Sequence, residues 1–251
     1  MKTESSKKTD RIRLTAAERR EAITRAVIPV FAKKGFAATT TRELATAAGV
    51  SEALLYRHFP SKESLYNHIQ DQICNTERSI HEFMLGLKPG SGSIVKMIYL
   101  VFKIIFETRK QHPLGSSIYR LQVQSLLEDG TFARTFNEPR FNLMLEQMDE
   151  FAREALAAGD MVPGPLTHYE RLWFSHHLAV ALRLAFLPQD SVFDYESDPS
   201  DRLVHGIWFA LRGMGMKDEV IEQHLKPEIL DPVIEDILIR AGMRVGSATE
   251  E

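Results

Sequence analysis

The sequence predicts an all-α protein in two parts, an N-terminal helix-turn-helix unit and a C-terminal helical bundle. Apolar residues recur at the three- and four-residue spacing of amphipathic helices, whereas the alternation typical of strands is absent. Capping sequences and Gly or Pro breaks separate these segments. With 251 residues, 44% hydrophobic and 26% charged, the composition favours a globular protein of one or two domains.

Charge is divided unevenly along the chain. Residues 1–70 contain 13 Lys or Arg against 7 Asp or Glu, although the net charge of the whole chain is -3. A basic front on an acidic body favours a polyanionic partner for the front alone, and chance asymmetry is the alternative. Residues 1–14 are expected to form a flexible basic arm, either solvated or in contact with phosphates.

Two capping boxes mark the first helices. Thr15 and Glu18 form the first box and start helix one, which Gly35 is expected to end. Pro29 lies inside this pattern and is expected to kink the helix, because proline lacks the N–H of the regular hydrogen bond. Thr40 starts helix two with a second capping box.

A short turn links helix two to helix three. The turn is Ala48–Val50, in which Gly49 suits a positive φ. Ser51 is expected to cap helix three, and the spacing of Leu55 and Phe59 turns both inward. Two helices joined in this way form a helix-turn-helix, in which the second helix enters the major groove of DNA. We therefore predict a three-helix DNA-binding domain over residues 15–66.

Fixed residue types at fixed spacing support this interpretation. The motifs G-F-x-x-T-T, A-x-x-A-G-V-S and L-Y-R-H-F-x-S-K-E-x-L lie between Ile23 and Leu65. They resemble the DNA-binding domain of TetR-family transcriptional regulators. The resemblance does not extend detectably beyond helix four. It implies a double-stranded DNA operator as partner, a homodimer, and a C-terminal domain that binds a small hydrophobic effector.

Residues on and around the two helices are candidates for DNA contact. Arg42 can read guanine or hold a phosphate, with a solvated surface arginine as the alternative. Glu52 can only accept hydrogen bonds, which favours a cytosine amino group. The resemblance implies that Tyr56 and Lys62 contact phosphates. The full set is Thr40, Thr41, Arg42, Ser51, Glu52, Ala53, Leu54, Tyr56, Arg57, His58 and Lys62.

Residues 67–251 are predicted to form a helical ligand-binding and dimerisation domain. Helix four is expected to run from Lys62 to about Leu87, before a break rich in Gly, Ser and Pro. Pro139 is expected to kink or interrupt one of the later helices. Those helices are predicted at residues 94–111, 113–127, 131–158, 167–187, 201–213, 218–225 and 227–241.

Large side chains in this domain are candidates for a ligand pocket. Helical bundles commonly hold ligand sites between their helices, although for any single residue a core position is the more frequent role. A solid core without an effector is the alternative for the whole domain. The candidates are Phe102, Phe106, Tyr119, Gln122, Phe141, Met144, Trp173 and His177.

Two late helices are too apolar to face water. Residues 167–187 and 201–213 present small and aromatic side chains, which favours a subunit interface. The resemblance implies that two such pairs form a four-helix bundle at a twofold axis. A dimer also binds DNA more tightly than one module, because the second half-site is bound at a high effective concentration.

Several classes of protein are disfavoured. We find neither a nucleophile elbow nor a nucleotide-binding glycine loop, and none of the nine His has zinc-site spacing. We therefore expect no enzyme activity, no cofactor and no metal. The chain has a single Cys, its N-terminus does not resemble a secretory signal, and its apolar runs are too short for a bilayer. These features favour a cytoplasmic location.

The sequence thus predicts a homodimeric, ligand-responsive repressor that binds a palindromic operator. Three alternatives stay open at this point. The protein could be an activator, a DNA-binding protein of the same fold without an effector, or an enzyme that retains the fold. The last would require a convergent polar cluster in the bundle, and the sequence shows none.

Overall fold

The computed structural model describes residues 14–74, 77–106, 115–185, 187–188 and 192–241. These ranges are almost entirely helical, in agreement with the predicted fold class. The helices are α1 Ala16–Ala38, α2 Thr41–Ala47, α3 Glu52–His58, α4 Lys62–Cys74, α5 Glu77–Leu85, α6 Ser91–Phe106, α7 Gly115–Leu127, α8 Thr131–Ala157, α9 His168–Leu184, α10 Pro199–Gly213, α11 Asp218–His224 and α12 Pro227–Arg240.

Local capping defines the first helices as predicted. The side chains of Thr15 and Thr40 each accept a hydrogen bond from the backbone N–H three residues later. The Glu at that later position accepts a hydrogen bond from the backbone N–H of the Thr. Gly35 has φ 77° and ψ 174°, so it breaks the regular α1 helix and leaves residues 36–38 as one further turn. Pro29 lies within α1.

The three N-terminal helices share a small hydrophobic core. Leu55 and Phe59 both point inward and are almost fully buried, as the spacing predicts. Val50, in the turn, packs partly buried against the same cluster. The other buried members from α1 and α2 are Ile23, Val27, Ile28, Phe31, Ala32, Leu44 and Ala45.

This core extends beyond residue 66, where we placed the domain boundary. Ile69 of α4, Leu121 of α7 and Phe132 of α8 are buried in the same cluster. The α7 helix lies against α1, and the rings of Tyr66 and Phe132 are 5.1 Å apart. The DNA-binding helices are therefore packed onto the bundle rather than held only through α4.

Helix α6 forms the centre of the second core. Ile94, Ile98 and Phe102 are fully buried, and α8, α9, α10, α11 and α12 pack around them. The ammonium of Lys103 is also buried, 2.6 Å from Asp231, which accepts a second bond from the Tyr99 hydroxyl at 2.6 Å. A buried charge of this kind needs such a partner.

The later helices begin and end within a few residues of the predicted bounds wherever the structure describes them. Pro139 does not interrupt α8, which continues through it, and a kink at this residue stays a prediction. A single missing hydrogen bond early in a 27-residue helix is offset by the packing of its remaining turns. Predicted helix four corresponds to α4 and α5, and residues 75–76 between them lie outside the described ranges, as do residues 1–13 of the arm.

Candidate nucleic-acid interface

The turn between α2 and α3 sets the angle of the two helices. Gly49 has φ +63°, and no atom lies within 4 Å of where a Cβ would be. Glycine is therefore needed at this position for its backbone conformation and not for space. The Val50 N–H donates to the carbonyl of Ala45 at 3.0 Å and closes the turn.

Helix α3 exposes the face that the sequence assigns to DNA. Tyr56 is 45% exposed, and Glu52, Ala53 and Arg57 are exposed beside it. From α2, Arg42 is exposed next to half-buried Thr41. Leu54, His58 and Lys62 are half-buried. The structure thus brings the predicted DNA-contact residues onto α2, α3 and the first residue of α4.

Two of the predicted contact residues use their hydroxyls to cap helices. Thr40 caps α2, and its Oγ1 also donates to the Glu43 carboxylate at 2.9 Å. Ser51 caps α3, where its Oγ accepts from the Leu54 N–H at 3.1 Å. Each cap accepts from a backbone N–H in the first turn of its helix. These bonds fix the backbone conformation at the N-termini of α2 and α3.

A hydrogen bond joins the two helices at their exposed ends. The Thr41 hydroxyl donates to Glu52 Oε2 at 3.2 Å. This bond restrains the Glu52 carboxylate at the start of α3. A restrained side chain loses less conformational entropy on binding than a mobile one.

The C-terminal end of α3 is held by an arginine of α1. The Arg20 guanidinium donates to the carbonyl of His58 and lies 4.3 Å from the centre of the Phe59 ring. Burial lowers the pKa of His58, and the nearby charges of Arg57 and Arg20 lower it further. The His58 imidazole is therefore neutral near pH 7 and can accept a hydrogen bond as well as donate one.

A charged pair fixes α2 against α1. The Lys34 ammonium donates to the Glu43 carboxylate. This bond, together with bonds from Thr40, lowers the pKa of Glu43 to about 2. Glu43 therefore stays ionised and keeps capping α2 at any pH at which the protein would meet DNA.

Lys62 has a different role in the structure from the one that the resemblance implies. Its ammonium donates to the carbonyls of Phe36 and Thr39 at 2.8 and 3.0 Å and lies 4.3 Å from the centre of the Phe36 ring. Two of its three N–H groups are thus used to join α4 to the end of α1. Contact with phosphate stays a prediction and would have to use the third.

Replacing Lys62 by methionine separates the two roles. Lys62→Met removes the ammonium from both carbonyls and leaves the Phe36 carbonyl only a 3.4 Å bond from the Thr39 N–H, so we expect the free energy of unfolding to fall by about 1–3 kcal/mol. Chemical denaturation measures this change, with Lys96→Met at an exposed position of α6 as the control. Unchanged stability would contradict the structural role. If Lys62 also holds a phosphate, the salt dependence of DNA binding will fall by about one ion.

A cavity of about 490 Å³ lies between α7, α8 and α9. Five of the eight predicted pocket residues line it: Tyr119, Gln122, Phe141, Trp173 and His177. The walls are aromatic, since the rings of Phe141 and Trp173 stack at 4.2 Å and His177 stacks on Trp173 at 5.7 Å. Asn137, Glu138 and Arg134 add polar groups.

Three predicted pocket residues do not line this cavity. Phe102, Phe106 and Met144 are buried in the bundle core, the alternative that the sequence left open for each. Sequence periodicity cannot separate the two roles, since both place a large side chain on the inner face of a helix. The lining residues that the sequence analysis missed, such as Val123 and Ala133, carry no distinguishing signal.

Two neighbouring helices expose an apolar face. On α10, Phe209 is 65% exposed and Trp208 lies beside it. On α9, Phe174 and Leu184 are exposed, and they share one side of the helix with His177. A Cβ on Gly206 would lie 2.9 Å from Leu182 of α9, so the two helices pack closely. Exposed large apolar side chains on two helices packed together are of the kind that proteins usually cover.

Two other kinds of site are absent from the residues that the structure describes. Within them, no three His, Cys, Asp or Glu side chains gather in a way that could hold a metal ion. In the same ranges, no helix combines the length and apolarity needed to cross a membrane.

Residues 23–69 match the family described as "Bacterial regulatory proteins, tetR family". The HTH-type transcriptional regulator YerO of Bacillus subtilis is 40% identical over 90 residues, 34% of this chain and 31% of YerO. The nucleoid occlusion factor SlmA of Aliivibrio fischeri is 33% identical over 96 residues, 38% of this chain and 47% of SlmA.

A third relative is IcaR of Staphylococcus aureus, a negative transcriptional regulator of the biofilm operon icaADBC. It is 28% identical over 85 residues, 34% of this chain and 45% of IcaR. The chain therefore matches less than half the length of these relatives.

Solved structures share the fold over much more of the chain. NalD of Pseudomonas aeruginosa, the secondary repressor of the MexAB-OprM multidrug efflux pump, has a TM-score of 0.58 at 19% identity, covering 81% of this chain and 100% of NalD. Mycobacterium smegmatis AmtR has a TM-score of 0.54 at 18% identity, covering 94% of this chain and 98% of AmtR. At these identities the likeness shows the fold alone.

Helices α1 to α4 thus form a helix-turn-helix DNA-binding domain on an all-α bundle. Residues 23–69 carry the DNA-binding domain of bacterial regulatory proteins of the tetR family.

Proposed function

We propose that the protein is a ligand-responsive repressor that binds an inverted-repeat operator as a homodimer. The observation that carries this proposal is the exposed face of α3 next to Arg42, held rigidly by helix caps and by the Arg20 contact. A rigid helix with polar and basic side chains at its exposed end suits the major groove.

The apolar face of α9 and α10 supports a homodimer. The face exposes Phe174, Trp208 and Phe209 to water. Covering it with a second copy of the chain removes these apolar side chains from water, which is favourable. A twofold dimer uses the same patch on both subunits. It would place two α3 helices on successive half-sites, which accounts for an inverted-repeat operator.

The cavity between α7, α8 and α9 supports a small aromatic or apolar effector. Its volume of about 490 Å³ falls in the range of ligand sites, and its aromatic walls with a few polar groups are typical of them. Flat rings such as Trp173 and Phe141 favour a ligand with a planar apolar part, because such surfaces stack well.

Repression, as opposed to activation, is proposed from the relatives. IcaR is described as a negative regulator and NalD as a repressor. A dimer that occupies its operator blocks that stretch of DNA, and it needs no surface that binds RNA polymerase in order to do so.

Selection of bound fragments from genomic DNA, followed by sequencing, tests the proposal. We expect one enriched inverted repeat whose half-sites are centred about one helical turn apart or a multiple of it. Equal, weak binding to all fragments would contradict the proposed function. Enriched single half-sites without symmetry would contradict the dimer.

A chromosome-binding role without transcriptional control is the second candidate. It is favoured by SlmA, which is described as a nucleoid occlusion factor. In that case the selected sites would lie scattered through the genome, away from promoters. A protein without an effector would also bind its operator equally well when the cavity is filled by a substituted side chain.

A further inference from the structure

Phe36 is bonded both to the bundle and to the DNA-binding helices. The Phe36 N–H follows the break at Gly35, and it donates to Glu128 Oε2 at 3.3 Å. The Phe36 carbonyl accepts from the Lys62 ammonium at 2.8 Å. Phe36 is therefore bonded on one side to the turn between α7 and α8, and on the other to the start of α4.

Glu128 is exposed to solvent, and its carboxylate lies against the end of α1. A Cβ on Gly35 would come within 1.6 Å of Glu128 Oε1 and 3.1 Å of Gln124 Cγ. Gln124 also donates to Glu128 Oε1 at 3.3 Å, which holds the carboxylate in place. The carboxylate is thus bonded to the Phe36 N–H and to Gln124 at the same time, which ties the α7–α8 turn to the end of α1.

An aromatic cluster reinforces the same joint. The Tyr66 ring lies 5.0 Å from Phe31, 4.8 Å from Phe36 and 5.1 Å from Phe132. Burial raises the pKa of the Tyr66 hydroxyl, with Glu128 contributing, so the hydroxyl stays neutral. The cluster joins α1, α4 and α8 by close packing, which transmits small displacements well.

The other side of this turn faces the cavity. Leu126 and Gly130 line the cavity, and each is two residues away from Glu128 in sequence. Ala133, next to Phe132, lines it as well. The α7–α8 turn is thus the wall between the cavity and the end of α1.

We propose that the α7–α8 turn, through the contact of Glu128 with Phe36, transmits occupancy of the cavity to the DNA-binding helices. This inference rests on the proposed function, in which the cavity is the effector site. A ligand that displaces Leu126 or Gly130 shifts Glu128, and Phe36 moves with it. Phe36 lies four residues before Thr40, the cap of α2, so the displacement reaches the helix-turn-helix directly.

The route differs from one that uses α4 alone. Helix α4 begins at Lys62, which bonds to the same Phe36 carbonyl. A displaced Phe36 therefore acts on α2 through the chain and on α4 through Lys62. Glu128 is a positioning residue in this scheme, because it touches neither the cavity's contents nor DNA.

A pocket-filling substitution tests the proposal without knowledge of the effector. Asn137→Trp projects a large side chain into the cavity, and we expect it to weaken operator binding about tenfold, within the usual range of coupling between sites. In a Glu128→Ala background the same substitution should change operator affinity by less than about twofold. Glu146→Trp, at an exposed position of the same helix, is the control.

Operator affinities of the unsubstituted protein, the two single variants and the double variant distinguish failure of the proposed route from failure of the proposed function. Additive effects of Asn137→Trp and Glu128→Ala would overturn the proposed route. No preference of the unsubstituted protein for any operator would instead overturn the proposed function.

Hydrogen exchange supplies a readout that does not need DNA. Amides of residues 36–47 should exchange about tenfold faster in Asn137→Trp than in the unsubstituted protein, because the joint is loosened. This measurement decides the matter if Glu128→Ala folds poorly or loses operator binding by itself. Unchanged exchange over these residues would overturn the proposal.

Discussion

Replacing Phe209 by aspartate is expected to convert the proposed dimer into a monomer and to weaken operator binding by about 10²–10⁴-fold. Phe209 is 65% exposed, so the change costs the folded monomer little. In a dimer it would bury a carboxylate without a partner, which is strongly unfavourable. The loss in DNA binding follows because each helix-turn-helix then binds a half-site alone.

Sedimentation velocity at micromolar concentration measures the first effect, as a fall in mass to the 28.6 kDa of one chain. Ile239→Asp is the matched control, since Ile239 of α12 is 61% exposed and lies outside the α9–α10 face. A Phe209→Asp protein that stays dimeric would contradict the assigned interface. If Ile239→Asp dissociates the dimer instead, the interface includes α12.

Replacing Arg42 by alanine is expected to weaken operator binding by about 1–3 kcal/mol, or roughly 10–100-fold. Arg42 is exposed at the second residue of α2, close to the Thr41–Glu52 bond that joins the two helices. Removing the guanidinium removes a bidentate donor but no part of the hydrophobic core. The melting temperature should therefore stay within the range of a surface substitution.

The pattern of the loss identifies what Arg42 touches. If it reads a base, specificity will relax at one position of the operator; if it holds a phosphate, binding will weaken on all sequences and the salt slope will fall by about one. Arg153→Ala is the control for charge, because Arg153 pairs with Asp149 on an exposed face of α8. Equal losses for both variants would show only a general effect of net charge.

Both predictions depend on how the helix-turn-helix is held in place. Its own core is small, and α7 and α8 contribute Leu121 and Phe132 to it. A unit of this size gains much of its stability from neighbours, since small cores bury too little apolar surface. The bundle therefore stabilises the DNA-binding helices.

The helices and the turn were predictable because the interactions that define them are local. Thr15, Thr40 and Ser51 cap their helices through bonds to residues three positions away. Gly49 adopts a conformation that its own residue type permits. Such features need no partner from elsewhere in the chain, so the sequence shows them directly.

Side-chain partners far apart in sequence were not predictable. The same residue type, a lysine at the start of a helix, can hold a phosphate or bond to carbonyls. The structure shows Lys62 bonded to Phe36 and Thr39, 26 and 23 residues away. Equally, an aromatic residue on an inner helix face can line a cavity, as Trp173 does, or fill the core, as Phe102 does.

The sequence by itself therefore determined the fold class, the helices and the DNA-binding motif of this protein. Only the tertiary structure decided where the bundle touches that motif, because Glu128 and Phe36 are 92 residues apart. A contact of this kind depends on how α7 packs along α1. No local pattern records it, since periodicity gives the buried face of a helix and not the neighbour that covers it.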